Sequence, residues 1–285
     1  MRNLILVIGS SILMIQSALA QNNQCTSEGK KIISLGGAVT EMIYALGEQD
    51  RLVGVDVTST YPMDALKLPK VGYYRAVSAE GLLSLGPDLI IADPDAGPPE
   101  VLNQLAAVGV CIKKVGDGGS AEAVLNRVTQ ISEALGVSEK GEQFKAAIKT
   151  KFDMAMAGHD NQNKKRPRVL FLLSAKDGTP VAAGDKTDAA SIIKLAGAEN
   201  AVSGFEGYKP LSSEVAAASG ADYILMMDHV VKSSGGKDTI LNLPQIKMTP
   251  AGQNGKLIAM DGLLLLGFGP RTPDAIEQLS NQFNQ

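Results

Sequence analysis

Short apolar runs alternate with amphipathic stretches along most of this chain. Residues 31–35, 52–55 and 89–92 are short, mostly apolar runs closed by Gly or Asp, the pattern of strands buried in a sheet. Helical spacing of apolar positions predicts helices over 39–46, 78–85, 98–108 and 120–135, and a further strand spans Cys111. Strand and helix in alternation predict a mostly parallel sheet covered by helices. From 138 to about 160 the chain carries no strand signal. Phe144, Ile148 and Phe152 recur every fourth residue there against a charged face, which predicts one long amphipathic helix. The pattern then restarts with strands 169–173, 223–227 and 257–260, helices 188–195 and 273–283, and a loop over 228–237.

The two halves repeat each other. Ser78-Ala79-Glu80 leading to Asp88-Leu89-Ile90-Ile91 aligns without a gap on Ser212-Ser213-Glu214 leading to Asp222-Tyr223-Ile224-Leu225, and a glycine–tyrosine loop precedes each. The resulting organisation is two Rossmann-like α/β lobes, 21–137 and 163–285, joined by a stiff helical connector over 138–162, with a ligand cleft between them.

Residues 1–20 read as a secretory signal: Arg2 begins a positive region, an apolar stretch follows, and Ala18-Leu19-Ala20 offers a cleavage site after Ala20. The expected product is an exported, soluble protein. The full sequence carries a net charge of −3 and no basic block, which argues against nucleic acid and anionic membrane as partners. In an oxidising compartment Cys25 and Cys111 are compatible with a disulfide, the alternative being two unlinked thiols with one buried.

The turn Leu35-Gly36-Gly37-Ala38 lies where backbone N–H groups could receive an anion, but it lacks the spacing of a dinucleotide or phosphate loop, so a tight strand-to-helix turn is the simpler reading. No nucleophile elbow, H-E-x-x-H or C-x-x-C occurs, which weakens hydrolase and structural-zinc readings. Of the two histidines, His159 reads as a solvent-exposed residue near the end of the long helix, and His229 as a candidate metal ligand at the carboxyl end of a strand. Tyr73 and Tyr74 stand beside Arg75 in a loop before a helix. Such tyrosines pack as an amphipathic lid or serve as phenolate ligands. A phenol with a pKa of about 10 needs a neighbouring cation for the second role, and Arg75 is placed to supply it. Glu80 and Glu214 are ordinary helix-start acids taken singly; at equivalent positions of two lobes they form a pair of negative points suited to cationic side chains of a partner.

Val71-Gly72-Tyr73-Tyr74-Arg75, Tyr208-Lys209-Pro210-Leu211-Ser212-Ser213-Glu214, Thr249-Pro250-Ala251-Gly252 and Leu266-Gly267-Phe268-Gly269-Pro270-Arg271 together resemble the periplasmic haemin-binding proteins of bacterial ABC haem importers, from about Lys31 to the C-terminus. The resemblance implies a non-enzymatic monomeric receptor of the rigid, helix-joined class. Its cargo would be ferric haem b, bound through Tyr73 as axial ligand. Arg75 would hydrogen-bond the phenolate or a propionate, with Tyr74, Tyr208 and the cation Arg271 near the ligand. Glu80 and Glu214 would dock on an inner-membrane permease with its ATPase, and an outer-membrane haem receptor is a possible source. Some relatives carry an opposing histidine where Ala175 and Lys176 stand here, so five-coordinate iron is implied, with His229 the alternative sixth ligand. A cobalamin or ferric-siderophore receptor of the same fold, or an exported α/β enzyme, is the competing reading.

Overall fold

The computed structural model describes residues 29–157 and 165–283; residues 1–20, read above as a signal, Cys25 and His159 fall outside them. β1 (Ile32–Leu35) and β3 (Leu89–Ala92) are buried at every position, as the central strands of a sheet covered on both faces must be. The first sheet runs β2 (Leu52–Val55), β1, β3, β4 (Cys111–Lys114), all parallel. It is flanked by α1 (Gly37–Ala45), α2 (Ala79–Leu83), α3 (Pro99–Ala107) and α4 (Ala121–Leu135). Strand order reverses between β1 and β3, which opens a crevice at their carboxyl ends. Cys111 is disulfide-bonded.

The expected strands β5 (Arg168–Ser174), β9 (Tyr223–Met227) and β10 (Leu257–Met260) form the parallel part of the second sheet. That sheet is mixed, however. β6 (Val181–Ala183) and β8 (Tyr208–Pro210) extend it antiparallel, and β7 (Glu199–Asn200) pairs with β5. β6 and β8 are three residues each: β6, though apolar, is too short to show a strand pattern, and β8 is exposed throughout and ends in Pro210. The predicted loop 228–237 is corrected by the structure: it contains α8 (Asp228–Ser233), a short helix with only Val231 buried. The lobe is completed by α6 (Asp188–Leu195), α7 (Ser213–Ser219), α9 (Lys237–Leu241), α10 (Pro244–Lys247), α11 (Pro250–Gln253), α12 (Gly262–Leu266) and α13 (Thr272–Phe283).

The repeat has a physical basis. Ser78 Oγ accepts the Gly81 N–H and Ser212 Oγ the Val215 N–H, so the serines cap α2 and α7. Asp88 accepts the N–H groups of Lys30 and Lys31, and Asp222 accepts that of Arg168, so each aspartate ties its strand to the start of the neighbouring one.

The long helix α5 (Ser138–Ala155) buries Ile148 and Phe152 on the predicted stripe. It lies against α4 so closely that Ser132 leaves no room for a Cβ at Gly141. α13 of the second lobe also packs against α5. One apolar cluster consequently runs from Ile32 and Met42 through Phe152 to Phe171, Leu225 and Ile276, crossing both lobes. Lobe separation on a large scale would expose part of this shared core to water, which restricts the cleft to small changes of width.

Candidate functional site

A cleft of about 700 Å³ opens at the carboxyl ends of the strands of both lobes. Its first wall begins with the Gly36–Gly37 turn. Asp56, fully buried, accepts the Gly36 N–H at 3.0 Å, and Thr58 Oγ1 accepts that of Gly37 at 3.2 Å, so both groups are already satisfied from within the lobe. Gly37 has a different use. A Cβ there would stand 2.6 Å from Leu263 Cδ1 and 2.6 Å from the Thr58 carbonyl, so only glycine lets α12 of the other lobe approach this closely.

The tyrosine loop forms the rim of the same wall. Backbone bonds from Val77 N–H to Gly97 O and from Gly97 N–H to Tyr74 O fasten it to the segment after β3. Tyr73 is 42% exposed, and its ring meets that of Tyr74 edge-on, with centroids 5.0 Å apart. Arg75 donates from Nη1 to Tyr73 Oη at 2.8 Å and from Nη2 to Asp95 Oδ2 at 2.6 Å, while its guanidinium lies 4.5 Å from the centre of the Tyr74 ring. Burial works against the Arg75 charge, but the hydrogen bonds to Asp95 and Tyr73 outweigh it and push its pKa up. Burial, reinforced by Asp93, pushes the Tyr74 hydroxyl well above its ordinary value and keeps it a neutral phenol. The two adjacent tyrosines are therefore inequivalent: one faces the cleft mouth with an arginine on its oxygen, and the other is a packed support.

The opposite wall is built from Met227, His229, Leu263 and Leu266. His229, in the first turn of α8, is 66% exposed with Nδ1 3.8 Å from Asp228, and it lines the cleft. Among the described residues no group of three or more His, Cys, Asp or Glu side chains is arranged to hold a metal ion.

Arg271 does not line the cleft. Nε donates to Glu41 Oε2 at 3.0 Å, Nη2 makes a short contact with Glu41 Oε1, and the guanidinium stacks 3.7 Å above the Tyr61 ring. Glu41 belongs to α1, and its side chain is only 3% exposed, so this is an ion pair across the lobe junction. Burial raises the Glu41 pKa, and Arg271 only partly offsets it. Tyr208 lies on β8 outside the cleft lining, its pKa raised by burial and then by Asp188, with Arg75 opposing. Glu80 and Glu214 are exposed in the first turns of α2 and α7. The Glu214 carboxyl is held low by its own backbone N–H and by Ser212.

Several cleft residues carry no motif. Arg127 of α4 is 5% exposed and donates from Nη1 to the carbonyls of Gly267 and Phe268 at 3.2 Å each, a second tie between the lobes. Phe268 holds a left-handed φ of 49°, which turns that loop toward the arginine. The one sequence signal was an arginine among Val124, Val128 and Ile131 on the apolar face of its helix. Asp93 and Asp188 face the cleft from opposite lobes. Burial raises both carboxyls; Asp93 adds to the rise at Asp188, and Arg127 opposes it at both sites. Asp93 directly follows a central strand, a position where α/β ligand sites form, and could have been flagged on that ground.

Comparison with known proteins gives consistent results. The family model described as periplasmic binding protein matches residues 32–263. A solved structure of periplasmic heme-binding protein BhuT in complex with two hemes is 39% identical, covers 89% of this chain and 97% of its own, and superposes with a TM-score of 0.86. Periplasmic heme-binding protein RhuT from Roseiflexus sp. RS-1, in apo form, is also 39% identical over the same shares, with a TM-score of 0.85. A vitamin B12-binding protein of Vibrio vulnificus is 26% identical over 96% of each chain. A family match over most of the chain, on two α/β lobes enclosing a cleft, leads to one conclusion: the chain belongs to the periplasmic binding protein family, whose members are substrate-binding transport proteins and not enzymes.

Proposed function

We propose that this protein captures ferric haem b in its inter-lobe cleft, with Tyr73 as axial ligand, and hands it to an inner-membrane ABC permease and its ATPase. The observation that carries this reading is the Arg75–Tyr73 hydrogen bond at the cleft mouth. A phenolate is a hard anionic donor suited to ferric iron, and a cationic hydrogen-bond donor already stands on this phenolic oxygen. Leu263, Leu266 and Met227 supply an apolar wall for a porphyrin face. Similarity points the same way, being 39% to the two heme-binding proteins and 26% to the B12-binding one. The protein works in the periplasm as a monomer after export through its signal segment, and an outer-membrane haem receptor would be its source. The exposed acids Glu80 and Glu214 are the docking points for permease cations, one on each lobe.

Titration with haemin tests the assignment. Wild type is expected to develop a Soret band and tyrosinate-to-iron charge-transfer absorption, and Tyr73→Phe, which removes only the hydroxyl, to lose the charge-transfer feature. An unchanged spectrum in the variant rejects Tyr73 as ligand, and binding of cobalamin in preference to haemin supports the second reading. Replacing Glu80 and Glu214 together by Lys should leave haemin affinity intact and abolish permease-dependent uptake. Loss of haemin binding in that variant would instead place the acids in the pocket.

A further inference from the structure

Arg75 can hold a phenolate only if its own guanidinium is held. It lies at the rim, and long exposed side chains sample many rotamers unless something restrains them. Its Nη2 is engaged by Asp95, whose side chain is 64% exposed and would ordinarily be too mobile to restrain anything. The backbone beneath Asp95 is clamped from three directions. Asp93 Oδ1 accepts the Asp95 N–H at 3.1 Å. Lys114 Nζ, reaching over from β4, donates to the carbonyls of Pro94 at 2.8 Å and Ala96 at 3.0 Å, the residues on either side of Asp95. Gly97 is bonded in both directions to the tyrosine loop itself. The carboxylate therefore stands on a fixed platform that belongs to the same rigid unit as Tyr73.

We infer that Asp95 is a positioning residue for the ligand tyrosine. By accepting from Nη2 it fixes the plane of the Arg75 guanidinium so that Nη1 is aimed at Tyr73 Oη. The guanidinium then bridges two oxygens, the carboxylate behind and the phenolic oxygen in front, and the stacking contact with the neutral Tyr74 ring holds its third side. Lys114 contributes by fixing the platform. The inference rests on the haem reading above and adds to it the residue that orients the tyrosine's hydrogen-bond donor.

The test is a double-mutant cycle read by haemin affinity and by the tyrosinate-to-iron charge-transfer band. Asp95→Asn keeps the shape and removes the charge. Residues that orient a metal's ligands typically alter affinity 10–100-fold, and for an exposed member the low end, about tenfold, is expected, with a shifted charge-transfer band. In an Arg75→Ala background the same substitution should change neither, because its effect travels through the arginine. Lys114→Met should shift the band in the same direction by a smaller amount. The proposal is overturned if Asp95→Asn matches wild type in affinity and band position, or if it costs the same with and without Arg75. Failure of wild type to bind haemin, or indifference to Tyr73→Phe, would reject the haem reading itself, so the two failures are distinguishable.

Discussion

Arg271 is paired with Glu41 across the lobe junction, and its removal makes a quantitative prediction. Arg271→Ala leaves Glu41, 3% exposed, without its counter-charge. A buried carboxylate that loses its partner typically costs about 3–5 kcal/mol. Here protonation sets a ceiling. Taking up a proton at pH 7 from an ordinary value of 4.5 costs at most about 3.4 kcal/mol at ~1.36 kcal/mol per pH unit. Because burial already raises Glu41 in the wild type, the charge-dependent loss falls below that ceiling. Loss of the cation–π contact with Tyr61 adds ~0.5–1 kcal/mol at every pH. The sign follows from linkage. Wild-type Glu41 is raised, so protonation suits the folded state, and the variant's deficit is largest at neutral pH and shrinks as pH falls through the raised value. Urea unfolding followed by far-ultraviolet circular dichroism at pH 7.5 and pH 5 measures both parts. Adding Glu41→Gln should abolish the pH-dependent part, and haemin affinity should stay close to wild type throughout. A deficit independent of pH refutes the ion-pair argument, and a large fall in haemin affinity would return Arg271 to the ligand site.

Two further outcomes are expected. Asp93 is raised mainly by burial, so its ionisation destabilises the folded state above the ordinary carboxylate range. Asp93→Asn should therefore have a higher thermal midpoint than wild type at pH 7.5, a gain that vanishes near pH 3, where the aspartate is neutral in both states. Phe152→Ala removes a side chain 1% exposed from the core cluster shared by the lobes and should cost about 3–5 kcal/mol in chemical denaturation. A loss below ~1 kcal/mol would show that α5 is only a tether.

Local pattern determined a large part of this protein. Mostly apolar runs located β1, β3, β9 and β10 because strands largely buried in a covered sheet are predominantly apolar, and fourfold spacing located α5 because a helix presents one stripe to its core. The serine caps and the Asp88/Asp222 ties were legible as a repeat because each is made within a single lobe by residues at matching positions. Tyr73 and Arg75, two residues apart, could be read as a pair for the same reason. Tertiary structure alone decided what faces what across the junction. Arg271 meets Glu41, and Arg127 meets the carbonyls of Gly267 and Phe268, over separations for which no sequence period exists. The antiparallel edge β6–β8 was hidden because three-residue strands are too short to show a period, and the helix α8 because a single buried residue carries too little apolar signal. Asp95 was hidden because its importance lies in what it holds, and that depends on Lys114, Asp93 and Gly97 being brought together by the sheet.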